Sequence, residues 1–244
     1  MESFEGKFEV IELATLGSGE FLCHGALFNQ SAFFRLHGDA QSEADLYLVL
    51  RERKKGTVVA TFWCSDVGNG FFRSPKRGSL GGVEALQSLS FLALEGFVDA
   101  IIAAVRIRGG SSVEMLLPPL AYTPPASSLL MNVLFRRGFS LSGHELNYSM
   151  PVDRAVAFRS LVDAKNRNKM NKCVKSGFSC RTLETLDDYA AAYRVIELNR
   201  AKKNIPLTMP WEALRQMHEA IPSAVHCFAC YSREEMIASG ICMR

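Results

Sequence analysis

Apolar and polar residues alternate along 8–15 (FEVIELAT) until Gly17, Ser18 and Gly19 interrupt them, a pattern that predicts a strand closed by a turn. Residues 20–38 mix helical spacing with a break at Asn29-Gln30-Ser31, where Ser31 is placed to cap a short helix carrying Phe33, Phe34 and Leu36. Two β-rich runs, DLYLVLRER and TVVATFWCS, flank Lys54, Lys55 and Gly56 and predict an antiparallel hairpin. A short strand, FFRSP, then leads into the turn KRGSLGG and a helix over 83–106. The apolar positions there (Leu86, Leu89, Phe91, Leu94, Phe97, Val98, Ile101, Ile102 and Val105) cover more than one face, so burial on two sides is expected. SSVEMLLPP reads as a strand stopped by Pro118 and Pro119. A helix over 125–137 should end at Gly138 as a left-handed cap, and FSLSGHELNYSMPV should form one long or bulged strand.

Asp153 is positioned to cap a helix running to Gly177, amphipathic in its first half and basic in its second. Strand FSCRTLE, helix LDDYAAAYRVIELNRAKK, helix MPWEALRQMHEAI and strands AVHCFACYS and MIASGICMR follow. That order repeats the opening of the first unit, as an internal repeat would. The expected fold is α/β, a mixed and mainly antiparallel sheet flanked by helices, with one complete unit over 1–152, a basic connecting helix over 153–177 and a partial second unit over 178–244. The terminal strand MIASGICMR would present an open edge through which two copies of the chain can associate.

Composition narrows the class. With 244 residues, 48% hydrophobic and 22% charged, the chain can bury one large core or two smaller ones. The longest nearly uncharged stretch, 86–105, contains Glu95 and Asp99, so no membrane span is expected. The N-terminus shows no secretory pattern, and the expected location is cytoplasmic. Seven cysteines, at 23, 64, 173, 180, 227, 230 and 242, are odd in number and scattered, and the simplest reading is reduced thiols. Cys227 and Cys230 form a C-x-x-C inside a strand pattern that sends them to opposite faces. With no H-x-x-x-H or H-E-x-x-H among five histidines, no metal site is expected.

A net charge of +3 does not mark a general nucleic-acid binder, but the charge is locally concentrated. Lys165, Arg167, Lys169, Lys172 and Lys175 lie in one acid-free run. They suit the phosphates of a nucleotide or of a tRNA acceptor arm, or else form a solvated helix face that complements the helix dipole. The turn Lys76-Arg77-Gly78-Ser79-Leu80-Gly81-Gly82 combines two cations with three glycines and an expected helix start, which suits a phosphate cradle; the alternative is a tight turn with solvated charges. Tyr122 is expected in a strand-end loop within reach of a substrate or in ordinary packing, and Glu84 in the first turn of the following helix. Arg200, Lys202 and Lys203 are candidates to line a cleft in the second unit, or are solvated lysines and arginine. His144 and His226 read as packed or surface imidazoles, and no nucleophile with its base is legible.

Three stretches carry a family resemblance: RSPKRGSLGG with the strand LLPP and the helix ending RRGF; the basic run RNKMNKCVKSGF; and YRVIELNRAKKNIPL. In this order they resemble the FemAB-like branch of the GNAT superfamily, tandem-domain acyl and aminoacyl transferases that include peptidoglycan-bridge enzymes. The resemblance implies transfer of an acyl group from acetyl-CoA, another acyl-CoA or an aminoacyl-tRNA to an amine or hydroxyl of a small acceptor, for instance a nucleotide sugar, with no metal. It implies phosphate or substrate contacts for Lys76, Arg77, Gly78, Ser79, Gly81, Gly82, Tyr122, Arg167, Lys169 and Lys172, and identifies no catalytic residue. Two positions depart from the acetyl-CoA pattern. Leu80 stands where the signature read from Arg77 has glycine, and Leu134 where a thiolate-protonating tyrosine often stands four residues before the glycine. A binding module without catalysis is the alternative reading.

Overall fold

A computed structural model of the chain describes residues 4–12, 31–37, 45–86, 88–146, 148 and 156–243. They belong to two compact units, Met1–Asn147 and Tyr148–Arg244, so the basic helix lies inside the second.

In the first unit, α1 (Phe4–Lys7) leads into β1 (Phe8–Glu12), and α2 (Ser31–His37) precedes the expected hairpin of β2 (Asp45–Glu52) and β3 (Val58–Asp66). The hairpin turn contains Gly56 at φ 67°, a left-handed conformation that glycine adopts without a Cβ penalty. Tyr47 pairs with Trp63 and Leu48 with Phe62, and β1 pairs antiparallel with the other edge of β2. β4 (Phe71–Ser74) is antiparallel to β3, and the two-residue β5 (Glu84–Ala85) adds to β3 further along. α3 (Phe91–Ile107) then carries the chain to β6 (Ser112–Met115), which pairs parallel with β4, and α4 (Pro124–Arg136) follows. The sheet order is β1-β2-β3-β4-β6.

The alternation of the strands divides the residues between two faces. Leu46, Leu48, Leu50, Ala60, Phe62, Cys64 and Phe72 meet Ala93, Leu94, Phe97, Val98, Ile101 and Val105 of α3 and Leu130, Val133 and Leu134 of α4. Full burial of such side chains contributes about 1.5–3 kcal/mol each, and this cluster dominates the stability of the unit. On the opposite face Phe34 of α2 sits edge-on to Tyr47 and Trp63, with ring centroids 5.2 and 5.1 Å apart.

Three expectations are corrected here. α3 starts at Phe91, not at 83, because 84–85 join the edge of β3, the Leu86 N–H donates to the Val59 carbonyl, and the Ser90 hydroxyl caps the helix by accepting from Ala93 N–H at 3.3 Å. Only one face of α3 is buried, since Leu92 and Ile107 are exposed. The described residues of 139–146 form no strand: they join no described sheet, and Leu146 is 79% exposed. Gly138 ends α4 as expected, at φ 84°, with its N–H donating to the Phe135 carbonyl and the Phe139 N–H to that of Leu134.

The second unit comprises α5 (Phe158–Leu161), α6 (Ala164–Lys175), β7 (Phe178–Leu183), α7 (Leu186–Lys202), α8 (Trp211–Ala220), β8 (Val225–Ser232) and β9 (Glu235–Met243). The cap of the basic helix is Asp163, whose carboxylate accepts from Asn166 N–H at 2.9 Å; the expected cap, Asp153, lies outside the described residues. β7, β8 and β9 form an antiparallel sheet in that order. Leu183, Cys227, Ala229 and Tyr231 face Tyr189 and Ala192 of α7 and Leu214 and Met217 of α8, while Phe228 and Phe178 occupy the opposite, open face. Among the described residues no helix is long and apolar enough to cross a membrane.

Candidate functional site

β4 and β6 are the one parallel pair among the described strands, and the two loops leaving their C-terminal ends emerge at the same end of the sheet. The glycine turn follows β4 and the loop with Tyr122 follows β6, so chain topology brings Lys76, Arg77 and Tyr122 to one end of the first unit.

The interior of the turn is closed. Ser74 is joined to Pro75 by a cis peptide, the Gly81 N–H donates to the Leu116 carbonyl at 2.6 Å, and the Gly82 N–H donates to the Ser74 hydroxyl at 2.9 Å. A Cβ on Gly81 would lie 2.4 Å from Pro75 Cδ and 2.5 Å from its nitrogen. One on Gly82, at φ 84°, would lie 2.7 Å from Leu117 Cδ2. Both glycines are therefore required by close approach of the chain to itself. No helix begins after the turn, which corrects that expectation and places Glu84 in a strand; the dipole of α3 starts beyond Ser90. Lys76, Arg77, Gly78 and Ser79 project from the turn as an exposed loop.

Strand register assembles a group that the sequence did not single out. Asp45 pairs with Ser65, Ser65 with Arg73 and Arg73 with Glu114, which sets four polar residues in one row across the face of the sheet that carries Trp63. Arg73 Nε lies 3.2 Å from Glu114 Oε2, a charge pair without hydrogen-bond alignment, and Glu114 Oε1 accepts from the Ser142 hydroxyl at 3.2 Å. Ser65 is 0% and Thr61 2% exposed, and neither hydroxyl has a hydrogen-bond partner among the described residues. Buried hydroxyls are rarely left without one, which sets these two, on either side of Trp63 and beneath the α2 aromatics, apart from the rest of the face. Hydroxyl residues two positions to either side of Trp63, Thr61 and Ser65, were the available signal. Their alignment with Arg73 and Glu114 depends on long-range register.

Most of the remaining predicted residues belong to the second unit. Lys165, Lys169 and Lys172 follow one side of α6 at helical spacing, whereas Arg167 turns to the other side and donates to the Arg159 carbonyl at 3.4 Å. α6 buries none of its residues, and Lys169 and Lys172 have no ion pair among the described residues. Hydrogen bonds from Asn166, chiefly from its backbone N–H, hold the Asp163 carboxyl below its ordinary range. Tyr122 is exposed, and its N–H donates to the Pro119 carbonyl. Arg200, Lys202 and Lys203 are exposed at the end of α7, His144 lies in the exposed 139–146 segment and His226 is half-buried on β8. No cluster of three or more metal-ligating side chains occurs among the described residues.

The cysteines require a correction. Cys180 on β7 stands directly opposite Cys230 on β8, and the two form a disulfide with their Cα atoms 4.2 Å apart. Fifty residues separate them, so spacing alone carried no sign of the pairing. Cys227 faces the helices, on the other side of the sheet from Cys230, and burial pushes its thiol up to about 11.

No protein-family model and no curated protein matches the chain.

The turn does not fit the pyrophosphate of coenzyme A in the manner that the resemblance implies. Two of its N–H groups are engaged internally, the space beside its glycines is filled, and no helix dipole follows. Leu134 is buried in the core on α4, with no polar group to offer a departing thiolate.

Proposed function

We propose that the chain is a GNAT-type protein of the FemAB-like kind whose first unit holds the acceptor in an acyl-transfer reaction. The acceptor is a small polar molecule with an amine or hydroxyl to be acylated, for instance a nucleotide sugar. The observation that carries this reading is the parallel β4–β6 pair, with Arg73 and Glu114 side by side on it and the loops of Lys76, Arg77 and Tyr122 at its C-terminal end. In α/β sheets, ligands collect where parallel strands end, because the loops there converge and backbone groups become available. Arg73 and Glu114 offer a donor and an acceptor array on one surface, beside the fully buried Ser65. Lys76 and Arg77 would attract phosphate as mobile cations, and Arg167, Lys169 and Lys172 would do the same on α6.

The closed turn offers no cradle for the donor, acyl-CoA or aminoacyl-tRNA. The closed interior of the turn favours a second reading, a binding module that keeps the acceptor surface without transferring anything. Calorimetry with acetyl-CoA and with UDP-N-acetylglucosamine, followed by mass spectrometry of the mixture, separates the two. Binding of both with a mass increase on the acceptor supports transfer. Binding of the nucleotide sugar alone supports the module, and binding of neither refutes both.

A further inference from the structure

We propose that Cys180 and Cys230 form a reversible thiol–disulfide exchange site, opened and closed by thiols and disulfides of the glutathione class, that fastens β7 to the sheet of the second unit. The site lies on the open face of that sheet, where Cys180 is exposed and Cys230 half-buried. Small thiols can reach it, because the α7 and α8 layer covers the other face. Its neighbours on the face are Phe178, Thr182, Phe228 and Ser232 and, on β9, Ala238, with Glu235 opposite Ser232.

What the bond fastens is a weakly anchored strand. Five of the six residues of β7 are exposed, and Leu183 is its one buried side chain, at the end far from α6. Arg181 adds a contact to Tyr231, with its guanidinium 4.5 Å from the ring centroid and a 3.2 Å hydrogen bond to the hydroxyl. At the other end Gly177, at φ 78°, turns the chain directly from α6 into Phe178. With the disulfide closed, Cys180 fixes this end covalently; with it open, Phe178 and Ser179 are held by backbone hydrogen bonds alone. Redox state thus governs how firmly the lysine-bearing α6 is rooted in its unit.

The chemistry balances without an external electron acceptor beyond the named class. A glutathione thiolate attacks the more accessible sulfur, Cys180 Sγ; the S–S bond breaks, a mixed disulfide forms on Cys180, and Cys230 departs as a thiolate that takes up a proton. A second glutathione thiolate displaces Cys180 in the same way, releasing glutathione disulfide. Two electrons have passed from two glutathione molecules to the pair, and the reverse sequence restores the bond. Cys227, three residues from Cys230, is no competitor, since it is buried on the helix side.

The full chain is equilibrated in buffers from wholly reduced to wholly oxidised glutathione, quenched with acid, alkylated and digested for mass spectrometry. The Cys180 and Cys230 peptides should pass together from alkylated to cross-linked, with the same midpoint from either direction. Amides of 178–180 should exchange with deuterium more than about tenfold faster in the reduced protein. Cys180→Ser should abolish the dependence on buffer, while Cys173→Ser, at an exposed lone cysteine of α6, should keep it. A pair that stays dithiol in glutathione disulfide, or stays bonded in reduced glutathione, would overturn the proposal. So would exchange in β7 that ignores the state of the bond, or Cys173 replacing either partner.

Discussion

Gly81→Ala isolates the question of why the turn after β4 is rich in glycine. The new methyl would lie 2.4 Å from Pro75 Cδ, 2.5 Å from Pro75 N and 2.8 Å from the Ser74 carbonyl carbon. Two of these atoms are backbone and the third belongs to a rigid ring, so relief requires moving the chain rather than a side-chain rotamer. The Gly81 N–H bond to Leu116, which continues the junction between β4 and β6, would be lengthened at the same time. Overpacking of this kind costs about 1–3 kcal/mol, and a weakened buried hydrogen bond about 1 more, so a loss of ~2–4 kcal/mol is expected. Trp63 is buried in the first unit and Trp211 lies in the second, so a Trp211→Phe background makes Trp63 fluorescence a report on the first unit alone. In urea the midpoint should fall by roughly 1–2 M, given a slope of about 2 kcal/mol/M. Ser79→Ala, at the exposed tip, should stay within about 0.5 kcal/mol of the parent. If Gly81→Ala unfolds like the parent yet loses affinity for a phosphorylated ligand, the glycine serves the ligand and the packing argument is wrong.

Thr61→Val replaces a buried hydroxyl lacking a partner among the described residues by a methyl of similar shape, and in the same assay it should be neutral or stabilise the first unit by about 1 kcal/mol; a clear destabilisation would reveal a hydrogen bond that the hydroxyl does make. Ser90→Ala should cost α3 about 1 kcal/mol through loss of its cap, read as a lower thermal midpoint of the Trp63 signal. The Glu12 carboxyl is held below its ordinary range, first by its hydrogen bond to Arg108, so its contribution to stability is present above about pH 4.3 and is lost as pH falls through the depressed folded value; Arg108→Ala should flatten acid unfolding of the first unit in that range, and an unchanged profile would count against the pair. Lys169→Ala with Lys172→Ala should leave the stability of the chain, read from its thermal midpoint, within about 0.5 kcal/mol of the parent, because α6 buries none of its residues; a clear drop would reveal a contact that these lysines do make.

Local signals were legible wherever a local cause produced the element. Lys54, Lys55 and Gly56 marked the β2–β3 turn, Gly138 marked the end of α4, and alternation along AVHCFACYS placed Cys227 and Cys230 on opposite faces. The helix expected from 83 failed because its apolar spacing extended unbroken through Leu86 and Leu89, while a tertiary partner, the edge of β3, claimed Glu84 and Ala85 first. FSLSGHELN has strand alternation, but alternation supplies a face and not a neighbour, and no described strand lies beyond β6 to take it up. The polar row and the Cys180–Cys230 pair were out of reach for one reason: each joins residues whose proximity is set by register between strands distant in sequence.

The parallel pairing of β4 with β6 also bears on the order in which the molecule assembles. Antiparallel β2 and β3 can zip from their own turn, whereas Phe71 meets Ser112 across the whole of α3 and Phe8 meets Glu52 across a similar span, so both contacts carry a larger loop-closure cost than the hairpin. Arg73 and Glu114 therefore meet after the hairpin has formed, and the surface proposed to receive the acceptor is completed later than β2 and β3. In pulse-labelling during refolding, amides of β6 should gain protection after those of β2 and β3; an acceptor that binds there would select for chains that have finished folding.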